Sequence, residues 1–196
     1  MEIEELTFVS TKKTDSKYLN QYEVEYIGKN GEEQTWTLSS RTDPPKCITG
    51  QFDIPDAVVI VAYHKKTDSL VVTREYRVPL ADYEYSFPAG LVDPGESIEE
   101  ATRRELKEET GLTVSFMIQA TQPLYSSAGM TDESVSMVYV QCEGEPTTKY
   151  NEDTELIEVL LVSREKALAL CRDKSLKFDA KAWLLLSSFG GTGRII

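Results

Sequence analysis

The segment from Glu96 to Glu109 contains six glutamates and three basic residues. Carboxylates grouped at helical spacing can bind a hard divalent cation, because ligation by oxygen without His or Cys suits Mg²⁺ or Mn²⁺. Such a cation can act as a Lewis acid and lower the pKa of a bound water. The alternative is an exposed helix whose glutamates pair with Arg104 and Lys107 at helical spacing.

The residues around this segment predict a helix from Ile98 to Thr110. Ser97 followed by Glu100 forms a capping box, in which each side chain accepts a hydrogen bond from the other residue's backbone. Gly111 stands where a glycine often ends a helix. The glutamates therefore belong to a helix whose two ends are both marked in the sequence.

One face of this helix begins apolar and then carries acidic residues. At about 100° per residue, the face predicted to pack on the core begins with Ile98, Ala101 and Thr102. The opposite face, predicted to be exposed, contains Glu99, Arg103, Lys107 and Thr110. Glu105 and Glu109 fall on the face that begins apolar, and Glu108 lies at its edge. Partly buried carboxylates repel one another, so a cation or hydrogen bonds must compensate them.

A longer pattern includes these glutamates and reads G-x5-E-x7-R-E-U-x-E-E-x-G-U, where U is aliphatic. Its fixed positions are Gly90, Glu96, Arg104, Glu105, Leu106, Glu108, Glu109, Gly111 and Leu112. The pattern resembles the signature of the Nudix hydrolases and favours the metal site over the exposed helix. The metal ligands that the resemblance implies are the Ala89 carbonyl and the carboxylates of Glu96, Glu105, Glu108 and Glu109. Arg104 is expected to hold a glutamate through a bidentate pair.

Two segments outside this box resemble the ADP-ribose pyrophosphatase branch of the family. Residues 75–77, Glu-Tyr-Arg, are similar to its Q-F/Y-R motif, which implies that Arg77 contacts substrate phosphate or ribose. Residues 127–133, Ser-Ala-Gly-Met-Thr-Asp-Glu, are similar to its S-P-G-x-T-x-E loop, with alanine in place of the proline. Gly129 and Glu133 of this loop are expected to contact the substrate.

The same resemblance implies roles for two residues nearer the N-terminus. In relatives of this branch a small sheet is exchanged between two subunits, an aromatic residue on it stacks on adenine, and a nearby arginine helps to hold the ligand. Trp36 and Arg41 match that layout, so both are expected to bind substrate in a homodimer. The alternative for Trp36 is a strand residue that only packs.

The general base of this branch comes from a late acidic loop, which corresponds here to residues 151–155. Alignment on the following Leu-Ile-Glu-Val favours Glu155, whereas loop shape allows Glu152 or Asp153. The alternative is an exposed acidic turn without a catalytic role. Arg104 and Glu108 complete the expected catalytic residues.

The order of the predicted elements indicates two regions and an α/β fold class. Residues 1–50 contain strand-like runs at 6–11, 22–27 and 34–39, with a hairpin signal at 29–31. They predict a small N-terminal antiparallel sheet for dimerisation and substrate contact. Residues 51–196 are expected to form the Nudix catalytic domain, an α/β/α sandwich with a mixed sheet and the box at 90–112.

Further elements of the catalytic domain are visible as apolar runs and helix caps. Strands are predicted at 57–63, 70–76, 135–140 and 156–162. Two helices are predicted after the N-caps Ser163 and Asp179.

Composition excludes several classes of protein. With 21 Lys and Arg against 33 Asp and Glu, the net charge is −12, which argues against binding nucleic acid. The N-terminus is acidic and lacks an apolar signal core, and no run approaches the ~20 apolar residues of a membrane span. Cys47, Cys142 and Cys171 are odd in number and far apart, which favours reduced, buried thiols in a cytoplasmic protein. His64, the single histidine, is predicted to be a surface or strand-end residue.

These features predict hydrolysis of the diphosphate bond of ADP-ribose or a related nucleoside-diphosphate sugar, with Mg²⁺ or Mn²⁺ as cofactor. Two alternatives remain open. One is a Nudix hydrolase of another nucleoside diphosphate-X, such as a sugar nucleotide or a dinucleotide. The other is a Nudix-like sensor that binds a nucleotide without cleaving it, although the retained glutamates of the box favour an enzyme.

Overall fold

The computed structural model of the chain describes residues 7–14, 19–151 and 156–195. Within those ranges, no helix is both long enough and apolar enough to cross a lipid bilayer. The chain divides into two compact units. The first unit combines residues 1–56 with 122–135, and the second combines residues 57–121 with 136–196.

The described residues form twelve strands, four helices and two short 3₁₀ turns. The strands are β1 (Thr7–Thr14), β2 (Asn20–Ile27), β3 (Glu33–Ser40), β4 (Ala57–His64), β5 (Ser69–Arg77), β6 (Asp82–Ser86), β7 (Ala89–Leu91), β8 (Thr113–Ala120), β9 (Leu124–Tyr125), β10 (Ser134–Glu143), β11 (Ile157–Val162) and β12 (Lys177–Phe178). The helices are α1 (Lys46–Thr49), α2 (Ile98–Thr110), α3 (Arg164–Arg172) and α4 (Ala180–Thr192). The 3₁₀ turns are Lys65–Thr67 and Val78–Leu80.

The first unit is built on an antiparallel sheet in the order β1-β2-β3. The hairpin between β2 and β3 turns at Gly31, whose φ of 78° lies in the region that glycine adopts without steric cost. The predicted small antiparallel sheet and its hairpin are therefore confirmed. β1 continues to Thr14, beyond the predicted end at residue 11, and the predicted first residue, Leu6, lies outside the described residues.

Lys46, at the start of α1, is a buried cation that is only 3% exposed. Its Nζ donates to Asp56 Oδ2 (2.6 Å), to Ser134 Oγ (2.9 Å) and to the Ile54 carbonyl (3.2 Å). The three ammonium hydrogens thus have three acceptors, and the Asp56 carboxylate compensates the buried charge. These bonds connect α1 with the residues around Ser134, which helps to explain why residues 122–135 belong to the first unit.

The second unit contains most of the larger sheet. Its main strand order is β12-β6-β5-β4-β10-β8, and β11 pairs with β5 while β7 pairs with β4. β12 runs parallel to β6, whereas β5 is antiparallel to β4, β6 and β11. The sheet is therefore mixed, and with its helices it confirms the predicted α/β fold class.

α2 packs its apolar residues against this sheet. It contacts β4, β7, β8 and β11, and Ala101 and Leu106 are fully buried in the core formed there. The helix begins at Ile98 and ends at Thr110, as predicted. α3 and α4 also begin after the predicted caps, since Ser163 Oγ and Asp179 Oδ1 accept hydrogen bonds from the amides of their first turns.

Thr110 was predicted to be exposed, and this prediction is wrong because the residue is fully buried. Its hydroxyl donates to the Leu106 carbonyl and accepts from the Leu112 amide (3.2 Å). The Thr147 amide also donates to the Thr110 carbonyl (2.9 Å), so a segment distant in sequence covers this end of α2. A threonine whose hydroxyl bonds to its own helix can be buried without an unpaired polar group.

His64 ends β4, which agrees with its prediction as a strand-end residue, but it is 2% exposed and therefore not a surface residue. Its Nδ1 lies 2.8 Å from Thr67 Oγ1 and its Nε2 lies 3.1 Å from the Gly144 carbonyl. Both ring nitrogens are thus engaged in structural contacts. The three cysteines are free thiols, of which Cys142 is buried and the other two are partly buried.

Replacing Lys46 by methionine is expected to lower the free energy of unfolding by about 3–5 kcal/mol, because Asp56 would remain buried without a cation. Urea denaturation of the variant and the parent chain measures this loss. Lys66→Met is the matched control, since the Lys66–Glu145 pair is about three-quarters exposed or more on each side and should contribute at most about 1 kcal/mol. Equal losses in the two variants would contradict a structural role for Lys46.

Candidate active site

The N-terminus of α2 is fixed by the predicted capping box. The Glu100 amide donates to Ser97 Oγ (3.2 Å), and the Ser97 amide donates to Glu100 Oε2 (2.9 Å). Glu96 is the residue immediately before this cap, and its Oε2 accepts from the Asp93 amide (3.0 Å). The same turn therefore sets the start of the helix and the position of Glu96.

Arg104 donates hydrogen bonds to three carboxylates. It forms a bidentate pair with Glu96, in which Nε donates to Oε1 (2.9 Å) and Nη2 donates to Oε2 (2.8 Å). Its Nη1 donates to Glu105 Oε1 (2.6 Å) and to Glu108 Oε2 (3.2 Å), and its Nη2 also donates to the Leu91 carbonyl (2.9 Å). The sequence predicted one bidentate pair with a glutamate, and the structure adds two further carboxylates to the same guanidinium.

The ion pair between Arg104 and Glu96 shifts the pKa values of both groups. The Arg104 guanidinium, with a smaller contribution from the hydrogen bond to the Asp93 amide, lowers the pKa of Glu96 to about 2. Hydrogen bonds to Glu96 and then Glu105 raise the pKa of Arg104 above its usual range. Both groups are therefore ionised at neutral pH, and the guanidinium offsets part of the repulsion among the carboxylates.

Glu109 approaches the strand β7 from the last turn of α2. It is 7% exposed, and its Oε2 accepts from the Ala89 amide (3.2 Å). The prediction that Glu105 and Glu109 lie on the face that begins apolar agrees with their burial, whereas Glu108 is about half exposed, as expected at the edge of that face. The box thus brings Glu109 next to the backbone of Ala89.

Gly90 leaves the space that the Glu105 side chain occupies. A Cβ atom at position 90 would lie 1.9 Å from Glu105 Cδ and 2.0 Å from Oε1, far inside van der Waals contact. The glycine of the predicted pattern therefore has a steric function, because any other residue displaces a carboxylate that pairs with Arg104.

The donor atoms collected here are carboxylate oxygens, together with the backbone of Ala89, and this set suits a hard divalent cation. In the ranges that the structure describes, no three side chains of His, Cys, Asp or Glu already converge as metal ligands. Glu96, Glu105 and Glu108 are each in contact with Arg104. The residues fit a divalent cation by chemistry, while their side chains are held by hydrogen bonds within the protein.

Arg77, expected to contact substrate, lies at the end of β5. Its Nη1 donates to Glu75 Oε1 (2.8 Å), and its Nε lies 3.5 Å from Glu84 Oε2. Glu75 stands where the resembling motif has glutamine, and it is an ion-pair partner of the arginine. The Arg77 side chain remains about half exposed.

The first unit contains a cavity of about 400 Å³, a volume typical of small-molecule sites. Its wall includes Tyr26, Trp36, Leu38, Phe52, Tyr125 and Asp132. Trp36, predicted to bind substrate, is therefore one of four aromatic residues in a mostly apolar concave surface. Burial raises the pKa of the Cys47 thiol, which also lines the cavity, so this group stays neutral at pH 7.

The loop 127–133 lies beside β3 in the same unit. The Ser39 amide donates to the Met130 carbonyl (2.9 Å), and Arg41 forms an ion pair with Glu133. Two residues predicted separately to contact substrate are thus in contact with each other. Gly129 lies in the exposed part of the loop, with open space where a Cβ atom would be.

Sequence reasoning missed Phe52, Tyr125 and Asp132 as cavity residues. The alternation of side chains along a β-strand provides one signal for the lining of the cavity. Residues two apart share a face of the strand, so Leu38 faces the same side as Trp36. No local pattern indicates that residues 125 and 132 return to this sheet. Glu152, Asp153 and Glu155, the candidates for the general base, lie outside the described residues.

Comparison with known proteins places the fold and the box in one class of enzyme. The NUDIX domain family matches residues 53–184, which is more than half of the chain. A solved structure described as an ADP compounds hydrolase superposes with a TM-score of 0.75 over all of both chains at 22% identity, which shows the same fold. The chain belongs to the Nudix family and is a Nudix hydrolase. Enzymes of this family generally use a divalent metal.

Two curated relatives cover most of the chain. The ADP-ribose pyrophosphatase of Saccharomyces cerevisiae is 29% identical over 179 residues, which are 88% of this chain and 74% of the relative. The ADP-sugar pyrophosphatase of Mus musculus is 26% identical over 183 residues, which are 87% of this chain and 80% of the relative. The predicted resemblance to this branch of the family is therefore confirmed.

Replacing Gly90 by alanine is expected to destabilise the chain by about 1–3 kcal/mol, because the new methyl group forces the Glu105 carboxylate away from its hydrogen bond with Arg104. Chemical denaturation measures the change. Gly191→Ala in α4 is the control, since open space surrounds that position and alanine should stabilise a helix by up to about 1 kcal/mol. A Gly90→Ala variant as stable as the parent chain would show that Glu105 can move without cost.

Proposed function

We propose that this Nudix hydrolase cleaves the diphosphate bond of ADP-ribose or a related nucleoside-diphosphate sugar. The products are AMP, or another nucleoside monophosphate, and a sugar phosphate. The observation that carries the proposal is the cavity lined by Trp36, because its aromatic residues suit a flat nucleobase. The unit that contains this cavity is formed mostly by residues that precede the matched NUDIX segment. The names of the yeast and mouse relatives support the same class of substrate.

The glutamates of the box are proposed to hold Mg²⁺, or Mn²⁺ in its place. The ligands are the carboxylates of Glu96, Glu105, Glu108 and Glu109 and the carbonyl of Ala89. A bound cation polarises phosphorus and makes the attacking water more acidic. Because the chain carries a net charge of −12, the cation also offsets repulsion of an anionic diphosphate.

Arg104 is proposed to act in catalysis by holding the carboxylates of the box in fixed positions. Its pairs with Glu96 and Glu105 restrict side chains that would otherwise separate by repulsion. Glu108 is also proposed as a catalytic residue. Its side chain is more exposed to solvent than those of Glu96 and Glu105, which agrees with this role.

Substrate contacts are proposed for four residues outside the box. Arg77 binds substrate phosphate or ribose, and its ion pairs with Glu75 and Glu84 orient the guanidinium. Arg41, together with Gly129 and Glu133 of the loop, helps to hold the nucleotide, which agrees with the ion pair between Arg41 and Glu133.

Glu155 is proposed as the general base that takes a proton from the attacking water. Glu152 and Asp153 are the alternatives in the same acidic segment. An ionised carboxylate in this segment could accept a proton from the attacking water.

We also propose a cytoplasmic homodimer in which the small sheets of the first unit are exchanged. A three-stranded sheet buries little core by itself, and Trp36 on this sheet is 48% exposed. The acidic net charge gives no expectation of a nucleic-acid partner.

A second candidate function is hydrolysis of a different nucleoside diphosphate-X. The observation that favours it is Ala128, which lines the cavity where the resembling loop of the ADP-ribose branch has proline. The phosphorus chemistry is the same in both functions, and only the preferred substrate differs.

ADP-ribose is expected to be hydrolysed with a kcat/KM at least about tenfold above those of UDP-sugars and dinucleoside polyphosphates. Release of inorganic phosphate after coupling to a phosphatase measures turnover, because the phosphatase acts on the products and not on the diphosphate bridge. Excess EDTA should abolish turnover and added Mg²⁺ should restore it. Faster hydrolysis of another compound would favour the second candidate, and full turnover in EDTA would contradict the metal site.

Glu155→Gln is expected to reduce kcat by about 10²- to 10⁴-fold, because glutamine cannot accept the proton. Cation binding, measured by titration calorimetry with Mn²⁺, should be unchanged, since the ligands of the box are intact. Glu152→Gln and Asp153→Asn are matched controls from the same segment and should retain most of the turnover. If one of them loses it instead, that residue replaces Glu155 as the base.

A further inference from the structure

The C-terminal end of α2 receives hydrogen bonds from residues 147–151, a segment that is distant in sequence. The last carbonyls of a helix have no amide partner within the helix, so they need donors from elsewhere. The Thr110 carbonyl accepts from the Thr147 amide (2.9 Å). The Leu112 amide, four residues after Glu108, donates to Thr110 Oγ1 (3.2 Å), so the Glu108 carbonyl takes a donor from elsewhere.

Asn151 supplies that donor. Its side-chain amide nitrogen donates to the Glu108 carbonyl (3.2 Å) and to the Thr148 carbonyl (3.0 Å). The nitrogen faces these two oxygens because an amide oxygen cannot donate a hydrogen bond. The Asn151 backbone amide also donates to the Thr148 carbonyl (3.2 Å). The side chain is thus held by its own turn while it reaches the helix.

Gly111 and Lys107 allow the two segments to approach closely. A Cβ atom at position 111 would lie 2.2 Å from Thr147 Cγ2 and 3.0 Å from the Thr147 carbonyl oxygen. Lys107 Nζ donates to the Gly111 carbonyl (2.7 Å) and lies 5.0 Å from the centre of the Tyr150 ring, within the range of a cation–π contact. Backbone and side-chain contacts therefore join the last turn of α2 to residues 147–151.

We propose that Asn151 is a positioning residue for the cation site, because it holds the last turn of α2. That turn carries Glu108 and Glu109, and Glu109 reaches the Ala89 amide (3.2 Å). Without the bond from Asn151 the turn opens more often, and two of the four proposed carboxylate ligands lose their fixed positions. A donor at this helix end also offsets the partial negative charge beside the two carboxylates. This inference rests on the proposed function for the cation and its ligands.

The first test measures cation binding in Asn151→Ala by calorimetric titration with Mn²⁺. The Kd is expected to rise roughly 3- to 10-fold, the range for the loss of a single hydrogen bond. Thr148→Ala is the matched control, because it changes a side chain of the same turn and keeps the carbonyl that Asn151 contacts. Its Kd should change less than about twofold.

The second test measures the cap itself by hydrogen–deuterium exchange without added cation. Mass spectrometry of peptides that contain residues 107–112 should show exchange roughly 3- to 10-fold faster in Asn151→Ala than in the parent chain. The same peptides in Thr148→Ala should match the parent. Exchange in α4 should be unchanged in both variants, which reports that each has folded.

An unchanged Mn²⁺ Kd in Asn151→Ala would overturn the proposal, even if urea denaturation showed a loss of stability, since the cap would then be purely structural. Equal increases of Kd in Asn151→Ala and Thr148→Ala, or unchanged exchange in the last turn of α2, would overturn it as well. A parent chain that does not bind Mn²⁺ would refute the proposed metal site together with this inference. Binding of Mn²⁺ with the same Kd in the parent chain and in Asn151→Ala would refute this inference alone.

Discussion

The charge balance around Arg104 is the constraint on which the candidate active site depends. One guanidinium contacts Glu96, Glu105 and Glu108, and three like charges so close together would otherwise repel one another. The same side chain reaches the Leu91 carbonyl in β7. Strand, turn and helix are therefore held by one cation, and the acidic groups of the box keep a defined arrangement despite their charge.

The apolar side of α2 makes this arrangement possible. Ala101 and Leu106 anchor the helix in the core of the larger sheet, while the capping box fixes where the helix begins. Gly90 then allows Glu105 to approach the strand more closely than any Cβ atom would permit. A helix held by packing on one side can present carboxylates along its edge without relying on propensity alone.

Features that depend on neighbouring residues were predictable from the sequence, and features that depend on distant ones were not. The bounds of α2 followed from its capping box and C-terminal glycine, and the box residues from their spacing. The burial of Thr110 depends on a segment nearly forty residues away, and the contact of Lys46 with Ser134 joins residues 88 positions apart. Ion-pair geometry, such as three carboxylates on one arginine, likewise depends on the packed backbone. The general base remains a prediction.

The Asp132 carboxylate limits how the cavity of the first unit can change in evolution. Asp132 lines this cavity, and its Oδ2 accepts hydrogen bonds from the Lys46 amide and from Ser40 Oγ. A mutation at this position therefore changes the lining and removes these two hydrogen bonds together. Substitutions at other lining residues, such as Phe52 or Tyr125, leave the two bonds intact, so divergence of the cavity among descendants of this chain is more accessible there.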